Sequence, residues 1–457
     1  MNSLQEIVQQ FIHEMFEIEL LEKGFAQTSE EIFDASKRFA LAVMKEKLES
    51  VDQALAEHAD LRPEWRIQKK VPRVQETLLG TLTYTRRYYV NRKSGKRAFL
   101  LDVLVGIEKH ERINQGLKAA LCNEAVLHSY QMSSAIACEN RVSKQSVMRV
   151  LQEVDVPDVE IKARQESVPI IHVQADEDHV SVQDGRRNRE VKLAVIHEPA
   201  RRVGKKGVLP HKIHTFAYKG SVESFWSEVA DRIEQRYPEA ENLQIYLHGD
   251  GAAWIQSGLG WLPNSRFVLD RFHVFKVLKQ LAPVDSVEYL ELRDSLFDAD
   301  KKEFKRLVKV CQELYAKDSE RVKVIQNYIL SNWKGIEIRT KDPKSGISCA
   351  EGLVSHCLSE RLSMRPMAWM DEGLGQMTKL REHYFNGGNI TWQDFKRSRK
   401  QRLELEAIEK SVKLGELRKI NESDNMLSYL PLSQYNFPKR DARYQLFKRI
   451  SEGGKAI

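Results

Sequence analysis

The spacing of hydrophobic residues changes several times along the chain, and each change predicts a different kind of element. Leu4, Ile7, Val8, Phe11, Ile12 and Phe16 recur at intervals of three and four, which places them on one helical face, so residues 1–70 are expected to be helical. From Val71 to Ile107 the pattern turns strand-like. Leu79-Gly80-Thr81-Leu82-Thr83-Tyr84 is rich in strand formers, and Lys93-Ser94-Gly95-Lys96 supplies a turn before Ala98-Phe99-Leu100, predicting a small β-hairpin unit over 71–110. Helical spacing returns over 115–154. There Ala135, Ile136 and Ala137 would pack a first helix, Arg141-Val142 would turn, and Ser143 would cap a second helix from Lys144. This is a helix-turn-helix pattern within an expected DNA-binding domain at 111–160.

After Pro157 the pattern alternates. Ile170–Val182, Val191–His197 and His214–Tyr218 read as three strands, with a basic loop, Arg201-Arg202-Val203-Gly204-Lys205-Lys206, between the last two. An amphipathic helix over Val222–Tyr237 is followed by a strand, Leu243–Leu247, that runs into His248-Gly249-Asp250, and Phe267-Val268-Leu269 makes a fifth. Three sequential strands, a helix, then further strands and helices is the order of an α/β, ribonuclease-H-like domain, here expected over 165–385. An all-helical insertion is expected within it at about 274–345, from Phe304, Leu307, Val308, Val310 and Leu314, and a basic C-terminal region at 386–457.

Composition narrows the function classes. At about 150 residues per domain, 457 residues make two to four units, and 72 lysines and arginines against 65 aspartates and glutamates leave a formal charge of +7. No apolar run approaches the roughly 18 residues of a membrane span. The start lacks the basic and apolar regions of a signal peptide, so a cytoplasmic, nucleoid-associated protein is expected. Five cysteines without a C-x-x-C pair argue against a disulfide framework or a zinc ribbon. The cations fall in patches suited to double-stranded DNA: Arg86 and Arg87 beside Tyr88 and Tyr89, Lys144, Gln145 and Arg149 on the second helix of the pair, Arg201, Arg202, Lys205 and Lys206, and Arg361 and Arg365. Arg186-Arg187-Asn188-Arg189 and the run Lys396–Arg402 add two more. The same residues could cover a sheet face or form a solvated helix face.

Three carboxylates stand out by position. Asp176 lies in the first strand of the α/β region, Asp250 at the tip of the fourth, and Glu351 opens a helix after the helical insertion. The first and fourth strands are neighbours in the ribonuclease-H arrangement, so three acids would face one point. Such a cluster is costly unless cations relieve it, and two Mg2+ ions (or Mn2+) balance three carboxylates and a phosphodiester while clamping an in-line displacement at phosphorus. Asp178 shares the face of Asp176, and spacing does not choose between them. Singly, Asp250 fits a turn or helix cap and Glu351 a first-turn acid suited to the helix dipole. Asp270 and His273, at i and i+3, also fit an N-cap with a half-buried neighbour, and His356 fits a solvated helix end as well as a phosphate contact.

Together these segments resemble a known family. Asp176-Glu177-Asp178-His179-Val180, His248-Gly249-Asp250-Gly251-Ala252, Asp270-Arg271-Phe272-His273, Ser348-Cys349-Ala350-Glu351-Gly352-Leu353-Val354-Ser355-His356 and Arg361-Leu362-Ser363-Met364-Arg365-Pro366 resemble the ISLre-type bacterial insertion-sequence transposases, a group similar to the Mutator-like branch of the DDE transposases. The resemblance implies transposition by a ribonuclease-H-like domain with Asp176, Asp250 and Glu351 as the metal-binding triad. The Asp270 and His273 pair matches the C/D-x-x-H signature of Mutator-like enzymes, implying that His273 serves the catalytic centre with Asp270, and Asp178 and His356 are further supporting candidates. The expectation is Mg-dependent end cleavage and strand transfer by a homodimer or larger synaptic assembly bound to transposon ends and target. The alternatives are a structure-selective nuclease on the same fold and a non-catalytic DNA-binding regulator.

Overall fold

The computed structural model describes residues 3–184, 188–203, 206–315, 318–365, 367–396 and 399–424. Helices α1 (Ser3–Phe16) and α2 (Leu20–Glu57) lead to strands β1 (Trp65–Thr77), β2 (Gly80–Asn91) and β3 (Arg97–Ala98), then to α3 (Leu100–Leu104), α4 (Gln115–Leu127), α5 (Tyr130–Cys138) and α6 (Lys144–Glu153). Next come β4 (Ile170–Val180), β5 (Arg189–His197), β6 (Arg201–Val203), β7 (Lys206–Val208), β8 (Ile213–Tyr218), α7 (Val222–Arg236), β9 (Gln244–Gly249), α8 (Ala253–Gln256) and β10 (Ser265–Leu269). Five helices follow without a strand: α9 (Arg271–Leu278), α10 (Val287–Phe297), α11 (Lys301–Leu314), α12 (Ser319–Ser331) and α13 (Trp333–Lys341). The described residues close with α14 (Ala350–Val354), α15 (Glu360–Leu362), α16 (Asp371–Phe385), α17 (Arg399–Glu409) and α18 (Leu414–Asp424). None of the helices among the described residues is long and apolar enough to cross a membrane, and all five cysteines are free.

Two compact units emerge, and the division between them passes through α4 and α5. One takes the chain to Ala120, Ser134–Ser143 and the residues from Phe395 on. Its hairpin is longer than the sequence suggested, because β1 begins at Trp65, inside the segment expected to be helical, and pairs from Trp65↔Asn91 to Thr77↔Gly80. Arg66, Lys69, Lys70 and Arg73 break the alternation that would have announced the strand. Leu78 and Leu79 make the tight connection, and Gly80 takes the φ of 138° that a side chain resists. Ala54, Leu55, Leu61, Trp65, Tyr89 and Leu100 form a core completed by Val412 and Leu417.

In this unit Arg86 is not a surface cation. It is 6% exposed, its Nε donates to Asp102 Oδ2 at 2.7 Å, and Arg73 Nη1 donates to the same oxygen at 2.8 Å. Arg87 is likewise occupied, with Nη1 donating to Asp52 Oδ2 at 2.7 Å. The phosphate-contact expectation fails to carry over to Arg86 because composition counts a charge without revealing that a buried carboxylate already answers it.

The other unit takes 121–133 and 144–394 and is built on a mixed five-stranded sheet of order β10-β9-β4-β5-β8. β5 pairs antiparallel with β4 on one side and β8 on the other, whereas β9 and β10 run parallel to β4. The loop expected at 201–206 is a small hairpin, β6 with β7. One sheet face supplies Ile171, Val173, Ala175, Ile196, Ile245 and Leu247 to a core shared with Phe225 and Trp226 of α7 and with Phe304, Leu307, Ile329 and Trp333 of the helical stretch. Each Val, Leu, Ile or Phe among them contributes about 1.5–3 kcal/mol on burial. Caps fix where the helices start: Ser221, Ser286, Asp300 and Asp318 accept backbone N–H bonds at the openings of α7, α10, α11 and α12.

Candidate metal centre

Strand register brings the acids together. Gln174 on β4 lies beside His248 on parallel β9, so two residues further Asp176 lies level with Asp250, just past the end of β9. β10 runs into Asp270, whose amide donates to Gly249 O at 2.8 Å and whose Oδ1 accepts the Phe272 N–H at 3.0 Å. Asp270 thus caps α9, and His273 falls in that helix's first turn. Glu351 falls in the first turn of α14. That helix continues through a π-helical segment, Ser355–Ser359, into α15, an irregularity frequent at functional sites.

Asp176, His273 and Glu351 converge. His273 Nε2 stands 3.7 Å from Asp176 Oδ2 and 3.7 Å from Glu351 Oε2, and one ligand atom from each residue lies within 4.8 Å of the others. Asp176 is 6% exposed while the Glu351 side chain is half exposed, so the group has a buried floor and an open side. The Asp176 carboxylate facing the His273 ring holds the imidazole above its usual pKa against the opposing effect of burial, and Asp250 and Asp270 add to the rise. Among the described residues Nε2 is buried without a hydrogen-bond partner. Two carboxylates and one unsatisfied ring nitrogen fit a divalent cation, for which oxygen and imidazole donors are ordinary ligands.

The remaining expected residues distribute unequally. Asp250 accepts the Ala252 N–H at 2.8 Å through Oδ1, and its carbonyl accepts the Tyr328 hydroxyl at 2.6 Å. Asp178, which spacing could not separate from Asp176, accepts from Ser363 Oγ at 3.0 Å instead of facing His273. His356 is exposed, pairs with Glu360 at 3.4 Å and packs edge-on against Phe385. Arg361 is 2% exposed; its Nε donates to Ala125 O at 2.9 Å between the rings of Tyr130 and Trp369, so it is no free phosphate ligand. Arg365, Arg201 and Arg202 are exposed. On α6, Lys144, Gln145 and Arg149 face solvent while Val147, Val150 and Leu151 are buried. The C-terminal end of α6 is tied to α16 by Gln376 Nε2 donating to Val154 O at 2.8 Å. Arg186, Arg187 and Lys205 lie outside the described residues, as does the Lys206 side chain.

Sequence reading missed three participants. Glu177 accepts Trp254 Nε1–H at 2.6 Å, and burial raises its pKa. Tyr328 reaches the site from the helical stretch. Gln174, 1% exposed, binds the segment before Glu351. Of these only Gln174 left a trace, as a polar residue at even spacing with His172 and Asp176 in an otherwise apolar strand.

Fold and site together define a mixed α/β protein with a candidate acid and imidazole metal group at the ends of its sheet's central strands. The chain belongs to the uncharacterised protein family UPF0236, whose pattern matches residues 11–401. It is similar to UPF0236 proteins of Caldanaerobacter subterraneus subsp. tengcongensis. Two of these are each 36% identical over 395 residues and 83% of this chain, covering 83% and 84% of the relative, and the first carries eleven gene designations under a single name. Among solved structures, a chain in the cryo-EM structure of simian T-cell lymphotropic virus intasome in complex with PP2A regulatory subunit B56 gamma aligns over 45% of this chain and 68% of that one, at 13% identity and a TM-score of 0.14. A likeness of that size supports no inference.

Proposed function

We propose that this protein is a DDE-type DNA transposase of an insertion sequence. Its ribonuclease-H-like unit would use Asp176, Asp250 and Glu351 to hold two Mg2+ or Mn2+ ions, with His273 at the catalytic centre. The observation that carries the reading is the meeting of Asp176, His273 and Glu351 within 4.8 Å, from residues 176, 273 and 351 of the sequence. Three antiparallel strands followed by two parallel ones, in the order β10-β9-β4-β5-β8, support the fold assignment. The relative that bears eleven gene designations in one organism is what a sequence that copies itself within a genome would leave.

The chain's own residues have distinct tasks in this reading. Asp176 on β4, Asp250 just past the end of β9 and Glu351 on α14 would be the carboxylates that hold the cations. His273, 3.7 Å from both Asp176 and Glu351, would hold those two carboxylates in place at the catalytic centre. When bound, the divalent ions supply polarisation of the attacking oxygen and stabilisation of the leaving one. Lys144, Gln145 and Arg149 on the outer face of α6, with Arg201, Arg202 and Arg365, would bind the phosphates of transposon ends and target. Two ends must be held at once, so a homodimer or larger assembly is expected.

The test is an assay with labelled end DNA, a plasmid target and Mg2+ or Mn2+. Joined product supports transposition. Metal-dependent nicks without joining mark a nuclease, and a mobility shift without cleavage marks a DNA-binding regulator.

A further inference from the structure

Asp176 follows two other buried polar residues, His172 and Gln174, on the face of β4 that it shares with Asp178, and those two touch the same segment that delivers Glu351. His172, Gln174 and Asp176 alternate along the strand with exposures of 2%, 1% and 6%. Opposite them runs the chain from Gly346 to Glu351. Gly346 has φ +69°, and a Cβ placed on it would lie 2.7 Å from His172 Cε1, so the imidazole packs directly against bare backbone. Gln174 Oε1 accepts the Cys349 N–H at 3.0 Å, and Nε2 donates to Ile347 O at 3.2 Å. Asp176 then meets Glu351 through His273.

The hydrogen bonding fixes the orientation of the Gln174 amide. His197 Nδ1 stands 2.7 Å from Glu198 O, so its proton sits there and its Nε2, 3.1 Å from Gln174 Nε2, is an acceptor. The two amide hydrogens of Gln174 therefore go to Ile347 O and His197, and its oxygen goes to Cys349. His172 is held in turn by His248 on β9, with Nδ1 to Nε2 at 3.1 Å. A polar row across β9, β4 and β5 thus grips the strap that ends two residues before Glu351.

We infer that Gln174 and His172 are positioning residues that set the place of Glu351 against Asp176, so that one face of β4 templates both ends of the acid group. The inference rests on the metal-binding reading of that group. The Glu351 side chain is half exposed, and the strap that leads into α14 sets where that helix's first turn begins. Partners of this kind, one contact removed from a metal, are worth about ten- to a hundredfold in metal affinity.

The experiment uses the full chain in four forms: wild type, Gln174→Met, Gly346→Ala and Asp176→Asn. It reads Mn2+ binding by electron paramagnetic resonance and hydrogen exchange of the peptide covering 346–353. Gln174→Met should keep its thermal transition well above the assay temperature, weaken Mn2+ by at least about tenfold and raise exchange in that peptide. Gly346→Ala, at an exposed position, should do the same by pushing the strap off His172, and it decides the matter if Gln174→Met does not fold. Mn2+ affinity within about twofold of wild type together with unchanged exchange overturns the inference. Should wild type and Asp176→Asn both fail to bind Mn2+, the metal reading falls. Exchange alone then decides whether Gln174 holds the strap: a rise supports that half of the inference, and no rise removes it.

Discussion

Asp102 and Asp176 are two carboxylates with nearly the same exposure, 4% and 6%, in opposite electrostatic situations. Asp102, in the hairpin unit, accepts from Arg73 at 2.8 Å, Arg86 at 2.7 Å and the Tyr84 hydroxyl at 3.2 Å. Burial pushes its pKa up and the two guanidinium groups pull it back, so its neighbourhood is closed. Asp176, in the sheet unit, faces a second acid, Glu351, across one imidazole whose Nε2 finds no hydrogen bond among the described residues. Two guanidinium groups make Asp102 a fastening, whereas Asp176, which accepts the Glu177 N–H at 2.9 Å and faces His273 and a second acid, keeps negative charge that a cation would offset. Burial alone separates neither case, and the partner inventory does.

That contrast yields predictions of decreasing size. Asp102→Ala should destabilise the hairpin unit by about 3–5 kcal/mol, since it strands two buried guanidinium groups, and denaturant unfolding reads it directly. Trp226→Ala, emptying a fully buried site between α7 and Trp254, should cost the sheet unit about 3–5 kcal/mol by the same measurement. Asp176→Asn should leave stability near wild type, because it removes both the like-charge contact with Glu351 and the pairing with His273, while end cleavage falls by at least about a hundredfold. Equal unfolding costs for Asp102→Ala and Asp176→Asn would erase the comparison.

Smaller effects follow from pH and salt. Burial lowers the pKa of His172 to about 4 and of His214 to about 3, and lowers that of His248 well below its ordinary value. The unfolded chain binds these protons near pH 6.5 and the folded chain does not. Stability is therefore full above that pH and declines as pH falls toward 4, by about 1.4 kcal/mol per pH unit for each histidine fully titrating. Thermal unfolding between pH 7 and 4 checks the direction. Lys144→Ala with Arg149→Ala should flatten the salt dependence of end binding by up to about 0.9 log units per log unit of salt for each phosphate that is no longer neutralised.

Much of the sheet was legible because period-two runs such as Ile170–Val182 and Val191–His197 are bounded by turns, and α6 starts at Lys144, where the sequence pattern placed it. β1 was not, because Arg66, Lys69 and Lys70 lie on exposed positions and mask its period. The acids were legible by their place in the order of elements, within the first strand, at the end of the fourth and at the opening of a helix, yet the choice of Asp176 over Asp178 as the residue facing His273 came only with the three-dimensional structure. Both lie on one strand face, and only the approach of α9 and α14 distinguishes them. Arg86 and Arg361 read as DNA ligands from charge alone, since a sequence shows neither Asp102 nor the Ala125 carbonyl beside them.

The most direct test of the central claim is anomalous diffraction from crystals soaked in Mn2+. The account predicts a peak at coordination distance, about 2.0–2.6 Å, from carboxylate oxygens of Asp176 and Glu351, and none at Asp102. A Mn2+-soaked crystal with no density between those two side chains would contradict it.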